Sequence, residues 1–232
     1  MPGAPAPEER AAGFFGRRKG HRLRGEQADR LVRLLPALRI DLSQPIDDVR
    51  RLFPVAVAEV RLEIGFGGGE HLIDVASRRP DIGFIGCEPF VNGVAKLAAE
   101  IEARGLKNIR IHDGNAADLL PKLPAASLDR VYLLYPDPWP KRRQRKRRFV
   151  SAASLKALAR VLRPGGHFRF ATDIDDYAGW TLVRVAQSAD FVWIAQQADD
   201  WRRPYPHWPG TRYEAKAKRE GRTPSYFTFA RI

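Results

Sequence analysis

The chain has 232 residues, with 40 lysines and arginines against 27 acidic residues and a net charge of +13. Apolar residues make up 44% of it, enough for a sizeable core, which excludes global disorder. A single cysteine, Cys87, excludes a disulfide framework and a cysteine-built zinc site. No apolar run reaches about 18 residues, so no membrane span is expected. The first twenty residues hold no apolar stretch of signal-peptide type, and the chain reads as cytoplasmic.

Residues 1–13, rich in Ala, Pro, Glu and Arg, show no periodicity and are expected to be disordered. Residues 14–24 form a basic arm, and Leu31, Leu34, Leu35 and Leu38 predict a helix over 26–38. From residue 58 the pattern becomes regular. Strands are predicted at 60–64, 84–88, 108–112, 128–136 and 167–172. Helices are predicted between them at 70–77, 91–104, 117–123 and 149–162, and after them at 176–189. Segments 191–196 and 225–232 read as closing strands with no helix between them, able to pair antiparallel at one edge. The alternation predicts an α/β fold, an open and mostly parallel sheet with an antiparallel edge strand and helices on both faces. The expected organisation is a basic arm and helix over 14–57 and one domain over 58–232.

The charge is uneven. Residues 1–40 carry a net +5, residues 41–140 a net −4 and residues 141–232 a net +12. Two basic flanks around an acidic middle suit a polyanionic partner, most simply nucleic acid. The densest cluster spans 141–148, with seven bases in eight residues. A solvated, Arg-rich surface is the plainer reading. A position between a strand and a helix favours a functional loop.

In open α/β sheets, ligands bind beyond the carboxyl ends of the strands. Three strand ends here carry suitable chemistry. Glu63-Ile64-Gly65-Phe66-Gly67-Gly68-Gly69 offers a sharp, glycine-rich turn. Glu88 ends the second strand, where a carboxylate can bind ribose hydroxyls. Asp113-Gly114-Asn115-Ala116 follows the third strand and suits an adenine edge. Glu70 stands where a dinucleotide fingerprint needs its third glycine, which disfavours NAD. Glu63 would repel a pyrophosphate and suit a cation, such as the ammonium or sulfonium of S-adenosylmethionine. The plainer reading is an ordinary strand-turn-helix glycine cluster with surface acids. No metal site is expected.

The fourth strand ends in Tyr135-Pro136-Asp137-Pro138-Trp139-Pro140-Lys141. This acid, aromatic and proline series predicts a rigid ledge over the cofactor's methyl group. Its neighbourhood to the basic run weighs against a merely structural, proline-rich connection.

On these residues the chain resembles the bacterial tRNA (guanine-N7-)-methyltransferases. The resemblance covers nearly all of 15–232. It rests on the arm at 16–24, the Glu63 to Gly69 motif, the segment 136–141, Ala171-Thr172-Asp173 and Thr211-Arg212-Tyr213-Glu214. It implies a Rossmann-like methyltransferase fold that uses S-adenosylmethionine. Glu63, Gly65, Gly67, Gly69, Glu88, Asn115 and Asp137 would form the cofactor site, with Asp137 also the active-site acid. Lys141, Asp173, Thr211, Arg212, Tyr213 and Glu214 would contact the substrate, the guanine at position 46 of the tRNA variable loop. Asn115 stands where an acid is also common in the family, and Gln144 where histidine is frequent.

Guanine N7 carries no proton, so its methylation needs alignment and exclusion of water rather than a general base. Asp137 or Asp173 can stabilise the positive charge that moves onto the guanine. Asp137, Asp173 or Glu214 can select guanine through its N1–H and exocyclic amine. Phosphate contacts are expected from Arg17, Arg18, Lys19, Arg22 and Arg24 in the arm, and from Arg145, Lys146, Arg147 and Arg148 in the basic run. Rival readings are another S-adenosylmethionine-dependent RNA or protein methyltransferase, a non-catalytic RNA-binding protein on the same fold, and a nicotinamide dehydrogenase. Either a monomer or a homodimer is compatible with the sequence.

Overall fold

A computed structural model describes residue 16 and residues 18–232. The expected disorder of 1–13 and the phosphate contact of Arg17 lie outside the described residues. The helix α1 (Gly25–Leu38) precedes a regular alternation. In order come β1 (Glu59–Ile64), α2 (Glu70–Arg78), β2 (Ile82–Cys87), α3 (Val91–Arg104), β3 (Ile109–His112) and α4 (Ala116–Leu119). The second half comprises β4 (Leu128–Leu134), α5 (Ala152–Val161), β5 (Leu162–Thr172), α6 (Asp175–Ala186), β6 (Phe191–Trp193), α7 (Asp199–Arg202), α8 (Arg212–Arg219) and β7 (Ser225–Arg231).

Seven strands form one sheet in the order β3-β2-β1-β4-β5-β7-β6. All pairings from β3 to β5 are parallel, whereas β7 runs antiparallel to both β5 and β6. The expected antiparallel pairing at one edge is therefore made by β6 and β7, with β7 next to β5 and β6 outermost. The order reverses between β1 and β4, and a crevice opens there beyond the strand ends.

Alternation along the strands assigns the two faces. Leu62, Ile85, Val131, Phe168 and Phe170 point into the larger core with Leu155, Leu158 and Tyr177 of α5 and α6. Ile82 and Phe84 point the other way, toward Leu72, Leu97 and Ile101 of α2 and α3. Helices thus cover both faces.

Three predicted boundaries need correction. The helix expected at 149–162 begins at Ala152, because the Ser151 hydroxyl accepts from the Ser154 backbone N–H (3.1 Å) and caps it. The strand expected at 167–172 begins earlier, at Leu162, and its positions 163–165 are exposed. The last two strands are separated by α7 and α8, both too short and too polar to give a clear helical period. The basic run folds as a 3-10 helix over Arg142–Arg147.

Candidate active site at the carboxyl ends of β1, β2 and β4

A cavity of about 320 Å³ lies over the switch in strand order. Gly65 and Gly67 from the β1 turn line it, with Glu88 beyond β2, Asn115 at the start of α4, and Asp137 and Trp139 beyond β4. Tyr213 from α8 reaches it from the far end of the sequence. Ile64, Phe90, Leu133 and Phe149 supply apolar walls. Of the residues singled out in the sequence, Gly65, Gly67, Glu88, Asn115, Asp137, Arg147 and Tyr213 meet here.

The glycine turn is shaped by backbone conformation. Gly65, Gly67 and Gly69 have φ of 73°, 56° and 79°, the left-handed region that side chains rarely adopt. A close neighbour fixes the turn further: a Cβ at Gly93 of α3 would lie 2.1 Å from the Gly67 carbonyl oxygen. Gly93 was not singled out in the sequence. Its signal was a lone glycine inside an amphipathic helix, which marks close backbone approach.

Glu88 is buried, and its two carboxylate oxygens accept from the backbone N–H groups of Gly67 (2.9 Å) and Phe90 (3.0 Å). Burial pushes its carboxyl up, against the lowering effect of these two hydrogen bonds. Asp137 is at the cavity mouth, where desolvation by surrounding atoms pushes its carboxyl up as well. The Asn115 side chain accepts from the Ala117 N–H (3.0 Å) and caps α4.

The ledge holds two non-glycine residues at positive φ, Tyr135 (50°) and Trp139 (42°). Each costs about 1–3 kcal/mol and persists only where its surroundings over-determine it. Arg148 provides that support. Its side chain is only 1% exposed, donates through Nε to the Pro138 carbonyl (2.8 Å) and lies against the rings of Tyr177 (4.8 Å) and Trp180 (5.0 Å). It also pairs with Asp176, as does Arg145 (2.7 Å). The expectation that Arg148 contacts phosphate is corrected: the guanidinium is enclosed. The Arg147 guanidinium lies 4.9 Å from the Trp139 ring centroid. Lys141 and Lys146 are exposed.

Other predicted residues lie outside the cavity lining. Glu63 is buried, and its carboxylate meets Nδ1 of His71 at 2.6 Å. Gly69 opens α2 and packs on Leu97. Asp173 pairs with Arg222 (2.6 Å). The Thr211 hydroxyl caps α8 by accepting from the Glu214 N–H (3.1 Å). Glu214 turns inward, accepting from Tyr226 (2.8 Å), Trp208 and Lys218. Burial raises its pKa, but these three donors together hold it below the ordinary value. Arg212 is within reach of the glycine turn, since a Cβ at Gly67 would lie 3.3 Å from its Nη2.

The arm is attached by its backbone. The Val91 N–H donates to the Arg18 carbonyl (3.1 Å), while Asn92 accepts from the Gly20 N–H (2.9 Å) and donates to the His21 carbonyl (2.8 Å). Arg18, Lys19, Arg22 and Arg24 are all exposed beside the start of α3.

Fold and site together define a Rossmann-like methyltransferase. Solved structures share that architecture at low identity. The 16S rRNA methyltransferase KamB aligns with a TM-score of 0.53 and 18% identity, over 75% of this chain and 88% of its own. A precorrin-6y C5,15-methyltransferase from Geobacter metallireducens aligns at 0.51 and 13%, over 92% and 94%. A family model described as putative methyltransferase matches residues 57–226. The tRNA (guanine-N(7)-)-methyltransferase of Chelativorans sp. is 54% identical over 97% of this chain and 98% of its own length. That of Agrobacterium fabrum is 57% identical over 94% of each. The chain belongs to the tRNA (guanine-N(7)-)-methyltransferase family.

The family's cofactor is S-adenosylmethionine, and the site fits it. The close approach at Gly93 and the left-handed glycines leave a cradle with no side chain of its own. The cavity volume falls within the range of small-molecule sites. Glu88, Asn115, Asp137 and Arg147, with the hydroxyls of Tyr135 and Tyr213, are the polar groups in a mostly apolar lining. Among the described residues no cluster of acids, histidines or cysteines could hold a metal ion, and no helix is long and apolar enough to cross a membrane.

Proposed function

We propose that this chain methylates N7 of the guanine at position 46 in the variable loop of tRNA. S-adenosylmethionine supplies the methyl group as a sulfonium-activated carbon. The observation that carries the reading is one cavity in which the glycine turn, Glu88 and the Asp137 ledge converge, with the arm at its rim and Arg147 in its wall. Near full-length similarity to relatives named for this reaction supports it.

Each group has a task that follows from its position. Glu88 has lone pairs left after its two backbone bonds and holds the ribose hydroxyls. Asn115, at the start of α4, would contact the adenine of the cofactor. The cradle and ledge fix the in-line approach of the guanine nitrogen and exclude water. Asp137 stabilises the positive charge as it passes to the base. Tyr213, 46% exposed on the cavity rim, offers a ring to the incoming base. Lys141 and Asp173 act from outside the cavity, Lys141 on the nucleotides flanking the target, while the buried Glu214 braces Trp208 and Tyr226. The setting is cytoplasmic, as a monomer or homodimer.

The test is to incubate the protein with methyl-labelled cofactor and an unmodified tRNA transcript, then map the modified base. Label at guanine 46, lost when that base is changed to adenine, is the expected result. Label at another position would overturn the assignment of the base. No label in any tRNA would favour an RNA-binding protein without catalysis.

A further inference from the structure

A second cationic centre lies in the sheet itself, away from the methyl-transfer cavity. Arg61 of β1 is in register with Arg130 of β4, and Arg130 with His167 of β5. Arg169, two residues further on, is opposite Tyr132 and shares the same face. The opposite face at these positions is apolar, with Leu62, Val131, Phe168 and Phe170 in the main core. Helices α5, α6 and α7 pack on that opposite face, while Tyr205 and Trp208 pack with Tyr132 and Tyr226 beside the cluster on the arginine face. Three arginines and a histidine thus occupy neighbouring positions on the central strands, which in a parallel sheet are usually apolar.

Compensation within the chain is thin. Glu59 pairs with Arg61 at 2.9 Å. Arg130 donates to the Tyr132 hydroxyl at 3.3 Å, and the Arg169 guanidinium lies 4.5 Å from the Tyr205 ring centroid. Nε of Arg61, of Arg130 and of Arg169 is shut off from solvent without an acceptor. Like charges on adjacent strands destabilise a sheet. Burial first, and then Arg130 and Arg61, push the Arg169 guanidinium below its ordinary pKa. Burial and the same arginines lower His167.

We propose that the half-buried Arg61, Arg130 and Arg169 form a phosphate-binding site on the face of the sheet opposite the main core. Guanidinium forks match the oxygens of a phosphate, and an anion held here would remove the repulsion that the fold alone leaves. The phosphate comes either from the backbone of the tRNA, a source that rests on the function proposed above, or from a free phosphate. Substrate positioning by a remote phosphodiester needs no further change, because tRNA is far larger than the cavity that takes its base.

Two measurements on the full chain separate the sources. In the first, Tm is followed with inorganic phosphate at about 10 mM against chloride of equal ionic strength. Phosphate raises the wild-type Tm, Arg169→Gln loses that response, and without phosphate this variant melts no lower than wild type because repulsion has been relieved. In the second, tRNA binding is measured against salt. Arg169→Gln lowers affinity about tenfold near 150 mM salt and reduces the slope by about one unit, with unchanged affinity for S-adenosylhomocysteine. Loss of both responses assigns the site to tRNA, and loss of the phosphate response alone assigns it to a free phosphate. A wild-type Tm indifferent to phosphate, with a wild-type salt slope in Arg169→Gln, overturns the site. If Arg169→Gln does not fold, Arg130→Gln and Arg169→Lys carry the same readouts, the lysine variant keeping charge but losing the fork. Failure of the methyl-transfer reading would appear as unlabelled tRNA and would leave the phosphate response intact.

Discussion

The arm at 18–24 and the run at 141–148 look alike in sequence, both dense in arginine and both beside the cavity, yet they are built differently. The arm is laid on the protein. Backbone groups of Arg18, Gly20 and His21 hold it to Val91 and Asn92, and its cationic side chains face outward. The run is built into the protein. Arg148 is enclosed beneath the ledge, Arg145 is tied to Asp176, and Arg147 lies over Trp139, while Lys141, Arg142, Arg143 and Lys146 face outward. Charge density in a sequence therefore overstates the surface offered to a polyanion, because some of the cations shape the site instead.

The sharpest way to test the built-in half is at the ledge. Asp137→Asn keeps shape and loses charge, and turnover should fall about a hundredfold or more. Since its carboxyl is pushed up, Asp137 takes a proton as pH falls through that raised value. Wild-type kcat should therefore drop on the acid side at a higher pH than an ordinary aspartate would give. Near-normal turnover in Asp137→Asn would remove charge at this position from catalysis.

Arg148→Ala should come next in size. Losing a buried side chain and its bond to the Pro138 carbonyl should cost about 2–4 kcal/mol, read as a lower Tm. The salt slope of tRNA binding should stay as in wild type. A reduced slope at unchanged Tm would restore Arg148 to the phosphate surface.

The outward cations should behave in the opposite way. Replacing Arg142, Arg143 and Lys146 by Ala, or Arg18, Lys19, Arg22 and Arg24 by Ala, should raise the tRNA KM steeply near 150 mM salt and far less at low salt. Tm and cofactor affinity should not move. A fall in Tm without a change in slope would mean that these side chains also serve the fold.

The smallest effect is expected from Asn92→Ala, which removes two side-chain bonds to the arm. At about 1 kcal/mol each, the loss should raise the tRNA KM by up to about thirtyfold and leave cofactor binding unchanged. An unchanged KM would show that the arm needs no anchoring on α3.

Much of this was legible in the sequence. The alternation of strands and helices, the three strand ends and the ledge follow from local patterns of apolar spacing, glycine and proline. What was hidden is long-range pairing. The partner of Glu63 is His71, on the next helix, and nothing in the spacing says that a carboxylate before a glycine turn will face a histidine. Glu214 reads as a substrate contact until Trp208, Tyr226 and Lys218 are seen around it. Arg148 reads as the last of seven exposed bases, and only the positions of Tyr177 and Trp180 enclose it. The helices between β6 and β7 escaped because four and eight residues give too little period to recognise.

The central claim is that the cavity between the glycine turn and the ledge is where the methyl donor is held. Calorimetric titration of S-adenosylhomocysteine into wild type and Glu88→Ala tests it most directly. The variant would lose two charge-assisted hydrogen bonds to the ribose, each worth about 1.5–3 kcal/mol, so affinity should fall at least about a hundredfold while the fold is retained. Wild-type affinity in a folded Glu88→Ala protein would contradict the account.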